Sequence, residues 1–353
     1  MVRLRPSLIS LPSYVPGRKV PGAAALASNE CPYGMLPAVE ARLGELVGGV
    51  SRYPDMSSGA LVGAIAAHHA VSPDRIAVGA GSSEVCGQLL HSVVGAGDEV
   101  VFGWRSFEAY PLLTAIAGGT AVRVPLRDHT LDLTALSAAV TGRTRLVFLC
   151  NPNNPTSTAV AEPELRRFVD EVPDDVLIVV DEAYREYVDQ TLIPDATELF
   201  EDRPNVVVLR TFSKAYALAG LRVGYCVGAA EVVAQVRKAQ VPFSVGSLAQ
   251  EAAVVALGEH EEVAHRVALT VAERERVAVR LRGDGFEVPR SHANFVWLPL
   301  GGDSTAFARH CLAGGVAARP FDGEGVRVTI GTADENDTFL VLAEKWRAEY
   351  FPE

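Results

Sequence analysis

The sequence predicts an α/β protein with a mostly parallel sheet flanked by helices, and three short apolar runs carry this prediction. Residues 145–150, 176–180 and 206–209 are continuous and rich in β-branched, leucine or aromatic side chains. Such runs are typical of strands that helices cover on both faces of a sheet. Helical and strand patterns alternate up to about residue 240, as they do where crossover helices join parallel strands.

The chain is long enough for two domains preceded by an arm. Its 353 residues are 48% hydrophobic and 21% charged, which describes a well-filled globular core. We predict an N-terminal arm at residues 1–28, because prolines interrupt it. A large domain is expected at residues 29–245, and a smaller α+β C-terminal domain at residues 246–353.

Composition and charge narrow the classes of partner. The formal net charge of −11 argues against nucleic acid, whose binding needs a basic surface. The five cysteines are scattered without a Cys-x-x-Cys pair, so we expect reduced thiols in a cytoplasmic protein. The proline-broken N-terminus does not resemble a signal peptide and no apolar run reaches a membrane-spanning length, so no membrane segment is expected. The eight histidines lack the spacing of metal ligands, so no metal is expected.

Polar residues follow each of the three predicted strands. Asn154 follows the first, Asp181 and Tyr184 follow the second, and Ser213, Lys214 and Arg222 follow the third. The carboxyl ends of parallel strands meet at one edge of a sheet, where α/β proteins keep their ligands. Singly, each group has an ordinary explanation as a solvated lysine, a turn or a helix cap. Their joint placement on three strand ends favours a site.

The set matches what pyridoxal 5'-phosphate (PLP) requires. Lys214 can form a Schiff base with the aldehyde of the cofactor and then act as general base and acid. Asp181 beside the pyridine nitrogen would keep the ring protonated, so that the ring accepts electrons from the substrate. Tyr184 and Asn154 can both donate to the phenolate oxygen. The serine and the arginine after the third strand are suited to the phosphate.

Another strand-to-helix turn lies at residues 76–84. Ser82 or Ser83 can cap the following helix, and the free N–H groups of its first turn can bind a phosphate. The competing interpretation is a dinucleotide-binding motif, but the third glycine of that motif would fall at Glu84, where a carboxylate would oppose a pyrophosphate. A plain helix cap is the remaining alternative.

These motifs resemble those of the fold-type I PLP-dependent aminotransferases. Within that group the chain is most similar to the histidinol-phosphate aminotransferases and to their actinobacterial relatives that act on aromatic amino acids. The resemblance extends over nearly the whole chain, in residues 27–34, 52–54, 101–108, 151–156, 181–184, 211–216, 220–225, 293–296 and 326–332. Residues 101–108, Val-Phe-Gly-Trp-Arg-Ser-Phe-Glu, resemble the aromatic branch more than the histidinol-phosphate branch.

The resemblance implies a seven-stranded sheet with one antiparallel strand, within residues 220–228, and a homodimer with shared active sites. Tyr53 is then expected to reach into the partner's site. Thr211 is expected to bind the cofactor, and Phe107 to stack on its ring where the family usually has a tyrosine. Ser157 stands where many relatives have glycine, which affects a turn but removes no catalytic group.

The resemblance also assigns the substrate contacts. Arg327 is expected to bind the α-carboxylate of the substrate or, with histidinol phosphate, to lie near the phosphate. Arg319 is expected at the edge of the same pocket. For both arginines a surface salt bridge is the alternative. Asn29, Tyr33 and Asn294 are the other candidates for substrate binding.

The expected activity is a ping-pong transfer of the amino group between an aromatic amino acid, phenylalanine or tyrosine, and 2-oxoglutarate. Histidinol phosphate as amino donor is the alternative within the family. A PLP-dependent lyase or decarboxylase and a non-enzymatic PLP-binding regulator are the alternatives from other classes. The regulator is disfavoured, because neither end of the sequence has the length or charge of a DNA-binding module.

Overall fold

The computed structural model describes residues 20–350 together with positions 2, 4–9, 11 and 17. The strands are β1 (Ala24–Leu26), β2 (Ile76–Gly79), β3 (Glu99–Trp104), β4 (Thr120–Pro125), β5 (Thr144–Cys150), β6 (Leu177–Asp181), β7 (Val206–Thr211), β8 (Gly224–Val227), β9 (Phe295–Leu298), β10 (Val316–Phe321) and β11 (Gly325–Thr329). The helices are α1 (Pro6–Ile9), α2 (Pro37–Leu46), α3 (Gly59–His68), α4 (Ser82–Val93), α5 (Ala109–Ala117), α6 (Leu133–Ala138), α7 (Glu162–Glu171), α8 (Ala196–Leu199), α9 (Ala230–Lys238), α10 (Ser247–Gly258), α11 (His260–Gly283), α12 (Ser304–Ala313) and α13 (Ala333–Tyr350).

The larger sheet confirms the predicted fold class. Among the described residues it has seven strands, in the order β2-β8-β7-β6-β5-β3-β4. β8 is antiparallel to both of its neighbours, β2 and β7. The remaining pairs of neighbours are parallel. The antiparallel strand expected within residues 220–228 is therefore β8.

Helices cover both faces of this sheet. The side chains of each strand alternate between the two faces, so they pack into two separate hydrophobic cores. Phe148 of β5 packs towards α4, α5 and α9, in a core that includes Leu89 and Val233. Val147 and Leu149 pack on the other face against α6 and α7. Successive side chains of a strand point to opposite faces, so a run without polar residues fills both cores at once. Each fully buried side chain of this size contributes about 1.5–3 kcal/mol.

The smaller sheet has the order β1-β10-β11-β9 in the part of the chain that is described. β1 is parallel to β10, whereas β11 is antiparallel to both β10 and β9. Its core includes Phe307 of α12 with Phe339 and Trp346 of α13. β1 lies within residues 1–28, so the last part of the predicted arm belongs to this sheet. About half of the arm before residue 20 lies outside the described residues.

Two helices connect the halves of the molecule. α10 packs against α2 and α3, and its Ala252 shares a core with Leu61 and Phe212. α11 starts in that core and reaches the core of the small sheet at Leu281. The domain division at residue 245 stays a prediction. The helix that follows it, α10, packs with helices that precede it.

Three further features of the described residues concern membrane-spanning helices, metal sites and cysteines. None of the helices in the described ranges is long and apolar enough to cross a membrane. Those same ranges contain no group of three His, Cys, Asp or Glu side chains that could hold a metal ion. All five cysteines are free thiols, and four of them are buried.

Candidate active site

A cavity of about 420 Å³ lies where β5, β6 and β7 end. The last residues of these strands, Cys150, Asp181 and Thr211, line it. The register that sets Cys150 beside Asp181 brings the strand ends together. Most of the predicted site residues line this cavity, namely Asn29, Ser82, Ser83, Phe107, Asn154, Asp181, Tyr184, Thr211, Ser213, Lys214, Arg222, Arg319 and Arg327.

Lys214 supplies the amine of the cavity. Its Nζ donates a hydrogen bond to the backbone carbonyl of Ser28 at 3.1 Å. Removal from bulk water lowers the pKa of the amine to about 7, and the positive charges of Arg327 and Arg222 act in the same direction. A large fraction of the amine is therefore neutral near pH 7, and the neutral form is the nucleophile.

Asp181 is a buried carboxylate with a strong hydrogen-bond donor behind it. The hydroxyl of Tyr110 donates to its Oδ2 at 2.6 Å, and the backbone N–H of Ala183 donates to its Oδ1 at 3.3 Å. Burial raises the pKa of Asp181 to about 6, while these two hydrogen bonds act to lower it. A cationic N–H group in the cavity would stabilise the charged carboxylate further.

The start of α4 and Arg222 form a candidate anion-binding site. Arg222 contacts Ser213 Oγ with Nη1 at 3.4 Å and Ser83 Oγ with Nη2 at 3.5 Å. A Cβ at Gly224 would collide with the backbone of Ser82, so glycine is required for β8 to approach the helix this closely. The first-turn N–H groups and the positive end of the helix dipole then face the same space as the guanidinium.

Tyr184 is held by a residue from the segment after β1. Asn29 Nδ2 donates to the Tyr184 hydroxyl at 2.9 Å, and Asn29 Oδ1 accepts from Thr329 Oγ1 at 3.0 Å. Burial raises the pKa of Tyr184, so its hydroxyl stays protonated and can donate. Asn29 was expected to bind substrate. The structure places it at the cavity wall with both ends of its side-chain amide engaged.

Arg327 extends from β11 to the cavity wall. It donates to Asn154 Oδ1 with Nη1 and to the Ala27 carbonyl with Nη2, each at 2.6 Å. Its guanidinium also lies 5.5 Å from the ring of Phe295. Since the oxygen of Asn154 is engaged, the NH₂ group is the end of that side chain that can donate into the cavity. A buried guanidinium at this position suits a carboxylate ligand.

Arg319 is paired with a residue that the sequence reasoning did not select. Its Nη2 donates to Glu108 Oε2 at 2.9 Å. Nearby, Arg105 forms a salt bridge with Glu324. Each pair joins a residue between β3 and α5 to a residue in β10 or just after it. The charges at this side of the cavity are therefore balanced between two arginines and two glutamates.

Three predicted residues do not line the cavity of this chain. Asn294 is fully buried behind it and donates to the Asn29 carbonyl at 3.2 Å, so its amide holds backbone instead of facing a substrate. Tyr33 is half-buried and lies close to Thr270 of α11, outside the cavity lining. Tyr53 is 83% exposed, and its ring packs against Phe243.

The sequence reasoning missed Tyr110 and Glu108. Tyr110 lies at the apolar start of α5, where the sequence pattern predicts an ordinary core side chain. A buried tyrosine hydroxyl needs a hydrogen-bond partner, however, and that requirement could have suggested a polar contact for Tyr110. Glu108 stands next to Phe107 in sequence, but its partner Arg319 comes from β10, and no local pattern connects the two positions.

Comparison with known proteins decides the family. A family model described as aminotransferase class I and II matches residues 23–341. The chain belongs to this family. The aromatic amino acid aminotransferase of Thermobifida fusca (strain YX) is 54% identical over 347 residues, covering 97% of both chains. The enzyme of the same name from Mycobacteroides abscessus is 54% identical over 345 residues, covering 98% of this aminotransferase and 99% of the relative.

Solved structures agree with the family. The histidinol-phosphate aminotransferase of Sinorhizobium meliloti in complex with pyridoxal-5'-phosphate has a TM-score of 0.89 to this aminotransferase, at 30% identity. That alignment covers 98% of this chain and 97% of the other. An aspartate aminotransferase of Thermus thermophilus, at a TM-score of 0.83 and 22% identity, shares the fold. This aminotransferase is thus a PLP-dependent transaminase of fold type I, as its motifs predicted.

The residues of the cavity fit PLP. The candidate anion-binding site beside α4 suits the phosphate, the buried carboxylate of Asp181 suits a protonated ring nitrogen, and the amine of Lys214 suits the aldehyde. When bound, PLP withdraws electrons from the α-carbon of an amino acid and carries the amino group between substrates.

The two departures from the family pattern have different outcomes. Phe107 lines the cavity, and stacking on a cofactor ring needs only its π face, which phenylalanine shares with tyrosine. Ser157 has φ +64° and is fully buried. This is the left-handed conformation that glycine adopts without steric cost, which is consistent with the glycine that the resemblance implies at this position.

Proposed function

We propose that this aminotransferase exchanges the amino group between an aromatic amino acid, phenylalanine or tyrosine, and 2-oxoglutarate. The relatives that are 54% identical over almost their whole length carry the name aromatic amino acid aminotransferase. The observation that carries the proposal is the pairing of Arg319 with Glu108 beside apolar cavity residues Phe107, Leu112 and Phe321.

That pairing bears on the choice between an aromatic ring and a phosphate. A phosphate at this side of the cavity would carry close to two negative charges, and Glu108 would repel it. An aromatic ring leaves the ion pair intact and gains apolar contacts instead. The charge balance therefore favours phenylalanine and tyrosine over histidinol phosphate as amino donors.

We assign the roles within the site as follows. Lys214 holds the cofactor and moves the proton at the α-carbon of the substrate. Asp181 keeps the ring nitrogen protonated, and Tyr184 and Asn154 donate to the phenolate oxygen. The remaining cofactor contacts are those of Ser82, Ser83, Thr211, Ser213 and Arg222 around the phosphate, with Phe107 on the ring. Arg327 binds the α-carboxylate of both substrates.

The test is the ratio of kcat/KM for phenylalanine, tyrosine and histidinol phosphate, each with 2-oxoglutarate and purified, PLP-loaded protein. We expect the aromatic acids to exceed histidinol phosphate by about 100-fold or more, because a charged group is desolvated against Glu108. Formation of glutamate distinguishes transfer from lyase or decarboxylase chemistry. A preference for histidinol phosphate would contradict the proposal and make Arg319 a phosphate ligand.

We further propose a homodimer in which Tyr53 completes the site of the partner. Tyr53, Met56, Val241 and Phe243 are large side chains that each have between 41% and 83% of their surface accessible. Tyr53 and Phe243 are in ring contact at 4.7 Å between centroids. Exposed apolar groups of this size favour a protein interface. We also infer a cytoplasmic location, since all five cysteines are free thiols.

Subunit mixing tests the shared site. Tyr53→Ala and Lys214→Ala homodimers are each expected to have little activity, but mixing them should restore about a quarter of the wild-type rate. Half of the dimers are then hybrids, and each hybrid has one site without either substitution. The measurement is the aminotransfer rate after proven subunit exchange. Exchange without any recovery would show that Tyr53 acts within its own chain or not at all.

A further inference from the structure

We propose that Tyr110 is a positioning residue for the ring nitrogen of the cofactor, acting through Asp181. The inference rests on the proposed role of Asp181 but not on the identity of the substrate. Its basis is the 2.6 Å hydrogen bond from the Tyr110 hydroxyl to Asp181 Oδ2. Tyr110 has no exposed surface and does not line the cavity, so it reaches the cofactor only through the carboxylate.

The ring of Tyr110 is fixed on three sides. It stacks on Phe148 of β5 at 4.2 Å between centroids and 5° between planes. It meets Phe107 edge to face at 5.4 Å and Phe102 at 5.7 Å. These contacts leave the hydroxyl one direction, which ends at Asp181. Since Phe107 lines the cavity, Tyr110 supports both the stacking residue and the partner of the ring nitrogen.

The hydrogen bond decides where the proton between the carboxylate and the ring nitrogen resides. Asp181 is buried, and burial favours its neutral form. A neutral Asp181 would leave the ring nitrogen without its proton. Donation from Tyr110 stabilises the charged carboxylate, so the proton moves to the nitrogen. Burial raises the pKa of Tyr110 well above its usual value, so the hydroxyl remains a donor throughout the working pH range.

The experiment uses Tyr110→Phe, which removes one oxygen atom and keeps the ring packed on Phe148. The holoenzyme is loaded with PLP carrying ¹⁵N in the ring, and ¹⁵N NMR follows the nitrogen as pH is raised. We expect the ¹⁵N chemical shift near neutral pH to move towards that of the unprotonated nitrogen, because losing a hydrogen bond to a charged group changes the balance between N–H⁺/COO⁻ and N/COOH by about 10- to 100-fold. We expect kcat to fall by about 10- to 100-fold, with KM for the amino acid little changed.

Tyr225→Phe is the matched control. It removes an equally buried hydroxyl that contacts His69 Nε2 at 2.9 Å, away from the cavity. This variant should leave the ¹⁵N titration and kcat as in the wild type. In an Asp181→Asn background, Tyr110→Phe should cause no further loss of rate, because its effect passes through the carboxylate.

The outcomes separate this inference from the proposed function. An unchanged ¹⁵N titration in Tyr110→Phe overturns the positioning role whatever the substrate. If Asp181→Asn retains full turnover, the role of Asp181 fails and this inference fails with it. If Tyr110→Phe does not fold, 4-aminophenylalanine at position 110 keeps the ring and replaces the hydroxyl by a weaker donor. The ¹⁵N chemical shift should then move in the same direction by a smaller amount, and no change contradicts the proposal.

Discussion

Lys214→Ala is expected to leave the enzyme without covalently held cofactor and without measurable aminotransfer. The amine of Lys214 lies in the cavity beside the Ser28 carbonyl, and its pKa of about 7 makes it nucleophilic near neutrality. Losing both the attachment point and the group that moves the substrate proton should reduce kcat on the order of 10⁴-fold or more.

The small number of lysines in the chain makes the attachment point of the cofactor easy to identify. Lysine occurs only at positions 19, 214, 238 and 345. Borohydride reduction of the holoenzyme should therefore fix PLP to a single peptide, and mass spectrometry should find it at Lys214. Lys238→Ala, an exposed position at the end of α9, is the matched control and should keep both label and rate. A Lys214→Ala protein that still turns over amino acid would falsify the assignment.

Asp181→Asn is expected to bind PLP yet lose most of the rate, by about 10²- to 10³-fold in kcat. Asparagine has nearly the same shape but no charge, so the ring nitrogen is no longer held protonated and the ring becomes a poor electron acceptor. The half-reaction of the loaded enzyme with phenylalanine, followed by the change in cofactor absorbance, measures the effect without a second substrate.

The control for Asp181→Asn is Asp189→Asn, which removes an exposed carboxylate from the loop after the same strand. Asp189 accepts only local hydrogen bonds from Thr191, so its loss should leave the rate unchanged. Normal turnover in Asp181→Asn would remove Asp181 from the reaction.

The larger sheet could be predicted because its strands are apolar without interruption. Residues 145–150 have to be buried on both faces, and that requirement alone selects the centre of a parallel sheet. Once those strands are adjacent, the groups that follow them converge, which is why Asn154, Asp181 and Lys214 could be assigned to one cavity. The direction of β8 came from the resemblance and not from its own four residues.

The contacts between distant segments could not be predicted. β1 has only three residues, too few to show a periodic hydrophobic pattern. Its pairing with β10 could therefore not be predicted from residues 1–28. Whether Asn29 faces substrate or holds Tyr184 depends on its φ of +54° and on Thr329, both products of tertiary structure. The same holds for Arg319, whose partner is visible only once the two halves are together.

The pairing of β1 with β10 gives this enzyme a late step in folding. Ala24 lies beside Val316, so segments from near the two ends of the chain must meet before the small sheet is complete. Contacts between distant segments form slowly, because a long loop has to close first. The large sheet can form while the ribosome is still at work, whereas Ser28 and Asn29, directly after β1, reach their places only with the C-terminal strands. The substrate part of the site, which includes Arg327 of β11, is therefore completed together with the last-made part of the protein.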